Sequence, residues 1–230
     1  MKRDTVVRKE LRFEATKSTG TVSGLILRPK DARWALVFAH GAGAGMKHPF
    51  MEQMSIRLGS HGIATFRYQF PYMENRTKRP DPKPILFATV RSAVAKAYEL
   101  FPDLPIVAGG KSMGGRMTSM AAADTSLDHV HGLVFFGFPL HPPGSPSTER
   151  AEHLEKVALP MLFLQGTRDT LAMLDLLKPV CKKLGTRAEL RIIDGADHSF
   201  HMLKSSGKTD QEILDQLAGS VATWLLSLQK

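Results

Sequence analysis

Leu104-Pro105-Ile106-Val107-Ala108-Gly109-Gly110-Lys111-Ser112-Met113-Gly114-Gly115-Arg116 is the stretch whose reading decides the fold. Its first part is an apolar run of the kind that fills a strand buried on both faces. Its centre is Gly110-Lys111-Ser112-Met113-Gly114, and a helix-compatible run from Met113 to Ala123 follows. Gly-x-Ser-x-Gly between a strand and a helix marks a nucleophile elbow, in which the serine sits at the tip of a sharp, strained turn. The glycines serve close approach, because positions without Cβ let strand and helix meet. The helix N-terminus would then point unpaired N–H groups at the reacting centre. The pentapeptide alone arises by chance in about one chain in ten of this size, so its surroundings must carry the inference.

Outward from this centre, apolar runs bounded by turn residues alternate with helical patterns. Toward the N-terminus, Arg12–Thr16 and Thr21–Leu27 read as a hairpin across Lys17-Ser18-Thr19-Gly20. Trp34–Ala39 reads as a fully buried strand, Phe50–Leu58 as a helix ending at Gly59 and Gly62, and Ile63–Phe70 as the next strand. Ile85–Leu100 has helical periodicity. Toward the C-terminus, Leu133–Phe138, Met161–Leu164 and Ala188–Ile193 read as strands, and Leu171–Leu184 and Asp210–Leu228 as helices. In the last helix Ile213, Leu214, Leu217, Val221, Trp224, Leu225 and Leu228 share one face. Two leading strands followed by β-α alternation predict an α/β fold with a mostly parallel, doubly wound sheet and helices on both faces. The segment between Phe138 and Met161 has about twenty residues, room for one short helix and too few for a lid domain. The 230 residues suit one domain, 1–230.

The elbow serine is a weak nucleophile unless a base takes its proton. In sheets of this kind the partners follow in the order Ser, Asp or Glu, His. Asp169 lies just past the carboxyl end of the Met161 strand and His198 just past the last strand, where functional groups of open α/β sheets gather. The expected catalytic residues are therefore Ser112 as nucleophile, His198 as base and then acid, and Asp169 to orient the imidazolium. His201 and His141 are the rival histidines, and Asp194 and Asp197 the rival carboxylates. Asp197 adjoins His198, a poor position for orienting that ring, and reads as a turn former.

An oxyanion hole requires backbone N–H donors. Met113 supplies one by position. The other is expected from His40-Gly41-Ala42-Gly43-Ala44-Gly45, with Ala42 first and Gly43 the alternative. The same glycine run resembles part of a dinucleotide-binding turn, but Met46 occupies the third glycine position and no acidic ribose ligand follows. Neither a metal nor an organic cofactor is required by this constellation.

The chain carries a net charge of +9, with 43% hydrophobic and 23% charged residues. Its basic residues are scattered, among them Lys2, Arg3, Lys78 and Arg79, and no helix-turn-helix, zinc pattern or aromatic-basic platform accompanies them. No specific nucleic acid is expected. The stretch Met1–Thr5 leads into charged residues without an apolar signal region, and no run reaches the length of a membrane span. A single cysteine, Cys181, excludes an internal disulfide and suits a reducing compartment, so a cytoplasmic location is expected.

Five segments together resemble the α/β-hydrolase superfamily, and within it the small, lidless, dienelactone-hydrolase-like branch. They are residues 40–44, Phe66-Arg67-Tyr68-Gln69-Phe70-Pro71-Tyr72-Met73-Glu74, residues 109–116, Gly137-Phe138-Pro139-Leu140-His141-Pro142-Pro143-Gly144 and Gly195-Ala196-Asp197-His198-Ser199-Phe200. The second and fourth are the most specific, and they are similar to the group that includes testis-expressed protein thirty and the hydrolase-like third subunit of the NSL chromatin complex. The resemblance implies an eight-stranded hydrolase core and supports Ser112, Asp169 and His198 as a triad. Dienelactone hydrolases proper use a cysteine nucleophile, which this chain lacks at position 112. The expected activity is hydrolysis of small carboxylic esters or thioesters, with a non-catalytic interaction scaffold on the same fold as the alternative. Tyr72, Met73 and Leu140, together with Phe70 and Phe138, are candidates for an apolar acyl site. Arg67, Lys111 and Arg116 are candidates for holding a substrate anion, although Lys111 and Arg116 also fit solvent-facing positions at the helix start.

Overall fold

A computed structural model of the chain describes residues 6–77 and 79–228. The N-terminal stretch 1–5, including Lys2 and Arg3, and Lys78 lie outside the described residues. The chain opens with β1 (Val7–Thr16) and β2 (Gly20–Arg28), followed by β3 (Trp34–Ala39), α1 (Pro49–Ser60), β4 (Ile63–Tyr68), α2 (Pro71–Glu74) and α3 (Lys83–Leu100). The second half holds β5 (Ile106–Lys111), α4 (Met113–Asp124), β6 (Val130–Phe136), β7 (Met161–Gly166), α5 (Leu174–Leu184), β8 (Ala188–Ile193) and α6 (Asp210–Ser227). The eight strands form one sheet in the order β1-β2-β4-β3-β5-β6-β7-β8. β1 pairs antiparallel with β2, and β2 with β4, while every other neighbour is parallel.

Parallel central strands demand cover on both faces, and the residue pattern supplies it. Trp34–Ala39 is buried throughout because alternate residues face two cores. Ala35, Val37 and Ala39 join the core under α3, α4 and α5, whereas Trp34, Leu36 and Phe38 join the core under α1 and α6. The last helix starts at a capping box, with Thr209 and Glu212 satisfying each other's backbone N–H groups. Its face of Ile213, Leu214, Leu217, Val221, Trp224 and Leu225 is buried as the periodicity requires.

Several element ends differ from the sequence expectation; the first strand starts at Val7, five residues before Arg12, and three further ends differ for a local reason. The fourth strand stops at Tyr68 because the N–H of Phe70 turns to His40 Nε2 (3.2 Å) and Pro71 starts α2. The sixth stops at Phe136 because Gly137 takes φ +68°, a conformation that ends the extended run. The helix expected from Leu171 begins only at Leu174, since Asp169 draws the Leu171 N–H to its carboxylate at 2.8 Å and holds 169–173 as a turn. Between Gly137 and Met161 the chain forms one short 3₁₀ helix, Glu149–Lys156, and no lid. Among the described residues no helix is long and apolar enough to cross a membrane.

Candidate active site

The site lies at the carboxyl ends of β3, β5, β7 and β8. Ser112 links β5 to α4 with φ +49° and ψ −118°, a conformation costly for a residue with a Cβ. Its backbone is tied on both sides: the N–H donates to Phe136 O at 3.1 Å, and its carbonyl accepts from Arg116 at 3.2 Å. Close packing makes the turn possible. A Cβ on Gly114 would fall 2.5 Å from Ala39 O and 2.6 Å from His40 O, so only glycine lets α4 start against the end of β3.

Ser112 Oγ lies 2.8 Å from His198 Nε2, and His198 Nδ1 lies 2.7 Å from Asp169 Oδ2. A carboxylate only accepts, so Nδ1 carries the proton and Nε2 is left to accept from the serine hydroxyl. The Asp169 side chain is fully enclosed, while His198 is partly open. Asp169 is further held by the Leu171 N–H and by Gln165 Nε2, whose own Oε1 accepts the Phe138 N–H at 3.1 Å. His198 sits on a turn built by Asp197, which accepts N–H bonds from Ser199 (2.8 Å) and His201 (2.9 Å).

The other residues singled out in the sequence go elsewhere. His201 pairs with Asp210 on the surface at 2.7 Å, and Asp194 accepts from Thr167 at 3.3 Å. His141 is buried and bonds Pro142 O at 2.9 Å. Cys181 is buried in α5, and burial pushes its thiol up to about 12. Leu140, expected to line an acyl site, is wholly buried in the core beside Phe138 and Phe70, and Tyr72 is buried as well. These side chains were misread because strand ends and loop aromatics look alike in a sequence. Met73 remains half-exposed, next to Gly45. Arg67 is buried with Nη1 donating to Met46 O at 3.0 Å, and Lys111 turns inward to the His198 loop instead of facing solvent. Arg116 is partly buried on α4, where burial and Arg150 lower its pKa.

The loop after β3 is fastened by polar groups. Gly43 N–H, the alternative oxyanion donor, already donates to Tyr72 Oη at 3.1 Å. Among the described residues, the N–H groups of Ala42 and Met113 have no hydrogen-bond partner. Gln69 Oε1 takes the Met46 N–H at 2.8 Å. His40 is wholly buried, donating from Nδ1 to Gly41 O at 2.8 Å and accepting the Phe70 N–H at Nε2. Burial pushes its pKa down to about 4, against the favourable Gly41 carbonyl and with a smaller push from His48. Sequence reasoning assigned no role to His40, Gln69 or Gln165. Their signal was a polar residue at the end of an apolar strand, where a buried polar group must find a partner.

Residues 32–226 match the family model described as alpha/beta hydrolase domain, and the chain belongs to that family. Its fold is similar to that of a dienelactone hydrolase from Anabaena variabilis, with a TM-score of 0.76 and 21% identity over 96% of this chain and 98% of that one. It is also similar to a serine hydrolase without a lid from Xanthomonas campestris, with a TM-score of 0.72 and 16% identity over 94% of each chain. At these identities the likeness is one of fold. A Mycobacterium tuberculosis protein named "Putative phosphoribosyl transferase" is 26% identical over 209 residues, 89% of this chain; the chain spans 43% of that relative's length.

Proposed function

We propose that the chain is a serine hydrolase acting on small carboxylic esters or thioesters, with Ser112, His198 and Asp169 as its triad. The observation that carries this reading is the continuous hydrogen-bond line from Ser112 Oγ through both ring nitrogens of His198 to Asp169. In the first half-reaction the serine oxygen bonds to the carbonyl carbon while its proton passes to Nε2. The negative charge that develops on the carbonyl oxygen is met by the N–H groups of Ala42 and Met113. The imidazolium, stabilised by Asp169, then protonates the departing alcohol or thiol as its bond to carbon breaks. Water repeats the sequence on the acyl-enzyme, giving its proton to His198 and releasing the acid and Ser112.

The short connection after β6 leaves the mouth of the site uncovered by a lid, which supports small or extended acyl substrates without selecting between them. Residues 66–74 and 137–144 carry our proposed kinship with the group of testis-expressed protein thirty. One hydrolase domain spanning 1–230 and a reducing, cytoplasmic setting complete the proposal.

The test is treatment with a fluorophosphonate probe, read by intact mass and peptide mapping beside Ser112→Ala. Stoichiometric labelling at Ser112, absent in the variant, is expected. A folded protein that takes no label would overturn the reading in favour of a non-catalytic scaffold.

A further inference from the structure

Lys111, the residue before the nucleophile, takes no part in the scheme above, yet it lies against the loops after β3, β6 and β8. As the last residue of β5 its side chain faces the α1 and α6 side of the sheet. Its Nζ donates to the backbone carbonyl of His198 at 2.5 Å. The same ammonium lies 5.4 Å from the Phe200 ring centroid and 5.8 Å from that of Phe50, within reach of a cation–π attraction to both. Those two rings stack at 5.9 Å, and Phe200 holds φ +63°, a strained conformation for a bulky residue two positions after the histidine. A Cβ on Gly137 would come within 3.0 Å of Lys111 Nζ and 3.4 Å of His198 Nδ1, so the end of β6 closes the remaining side. The stem passes Gly41 of the loop after β3.

We infer that Lys111 is a positioning residue: its ammonium clamps the His198 carbonyl against the Phe50 and Phe200 rings and so fixes the reach of the imidazole toward Ser112. This rests on the triad proposed above. An ammonium has three donors, and here one is taken by a carbonyl while aromatic faces meet the rest. Burial lowers its pKa to about 8, opposed by Asp169 and Asp197, which face it from the loops after β7 and β8. From α1 it meets Phe50, and from β6 Gly137. A cation kept merely for structure is an expensive choice, because an apolar side chain of similar volume is often as stable or more so in such a place. A clamp, by contrast, justifies the charge. Below about pH 8 the charged donor holds the loop; as pH rises through that value the donor turns neutral and the grip loosens.

The test compares wild type, Lys111→Met and Lys111→Gln, with Lys111→Cys alkylated by bromoethylamine to restore an ammonium on a sulfur-containing stem. Cys181, buried and weakly acidic, stays unmodified. Lys111→Met should lower kcat about 10- to 100-fold with KM little changed, as expected when a reacting group is misplaced slightly. Wild type should lose rate as pH rises through about 8, Lys111→Met should lack that limb, and the alkylated variant should recover rate with the limb at lower pH, because sulfur weakens the amine as a base. A folded Lys111→Met or Lys111→Gln protein with unchanged kcat and an unchanged alkaline limb would overturn the inference. The low-field resonance of the His198 Nδ1 proton needs no turnover. If wild type takes no fluorophosphonate, the triad reading falls, and this resonance alone decides the clamp: lost in Lys111→Met, the clamp stands; retained, it falls.

Discussion

Helix α4 carries two serines seven residues apart, Ser112 at its start and Ser119 within it, and each lies 2.8 Å from a histidine Nε2. By distance alone the pairs are equal. Their surroundings separate them. Ser112 occupies a strained left-handed turn at the helix N-terminus, and its histidine is backed by a buried carboxylate. Ser119 sits in regular helix, wholly buried, with its hydroxyl donating to Arg116 O at 2.9 Å. Having spent its one proton there, Ser119 can only accept from His153. Burial first, then the charges of Arg116 and Lys83, push the His153 pKa down to about 4, opposed by a bond to the Arg150 backbone carbonyl. A base so weak, without a carboxylate behind it, cannot take a serine proton to useful effect near neutral pH. A serine and a histidine in contact thus make a structural tie; the elbow, the acid and free N–H donors make a nucleophile.

The largest effect should come from deleting the two hydroxyls in turn. Ser112→Ala should lower kcat/KM by about 10⁴-fold or more and abolish probe labelling. Ser119→Ala should leave the rate within about 2-fold and cost about 1 kcal/mol of stability in urea unfolding, the net worth of a typical hydrogen bond. The comparison breaks if the probe adduct maps to Ser119, or if Ser119→Ala is the inactive variant.

Next in size are the groups behind His198, which His153 lacks. Asp169→Asn should reduce kcat by about 10³- to 10⁴-fold, since an amide can present its donor to Nδ1 and favour the wrong tautomer. Gln165→Leu acts one step removed. It frees the Asp169 carboxylate from one of its two donors besides His198 and strands the Phe138 N–H, so we expect a loss of about 10- to 100-fold in kcat. Stability should fall by about 1–3 kcal/mol, the cost of an unpaired buried group. Activity unchanged in Gln165→Leu alongside a normal loss of stability would show that the leucine variant holds Asp169 in place without it.

The difference between the pairs was partly legible in the sequence. Gly110-Lys111-Ser112-Met113-Gly114 between an apolar run and a helix singled out Ser112, and chain order singled out Asp169 and His198, which the fold brings into line. All eight strands were legible in part: the buried parallel ones as continuous apolar runs, and β1 and β2 as an antiparallel hairpin whose first strand starts five residues before the expected Arg12. Residues that act through a buried partner were not. Gln165 and His40 are polar endings of apolar strands, and only the folded chain shows that one holds Asp169 and the other the loop at Gly41. Tyr72 and Leu140 misled for the converse reason: an aromatic or leucine in a loop beside the site can serve the core, and here both are buried. Lys111 was ambiguous because a lysine at a helix start normally reaches for water.

The smallest effect is a pH dependence that should follow His153 and leave His198 chemistry untouched. Both His153 and His40 have folded-state pKa values lowered from 6.5 to about 4. The unfolded chain therefore takes up their protons first, so each contributes stability that is present above about pH 6.5 and lost as pH falls toward and through about 4. His153→Gln keeps a donor for Ser119 and removes the titration. It should flatten the fall of unfolding free energy over that window by at most about 1.4 kcal/mol per pH unit, the slope of one proton. Urea unfolding at a series of pH values measures the slope, and the hydrolysis rate at neutral pH should stay within about 2-fold of wild type. An unchanged slope would mean that His153 titrates alike in the folded and unfolded chain. A flattened slope with an unchanged rate would separate the two contacts as structural tie and reacting pair.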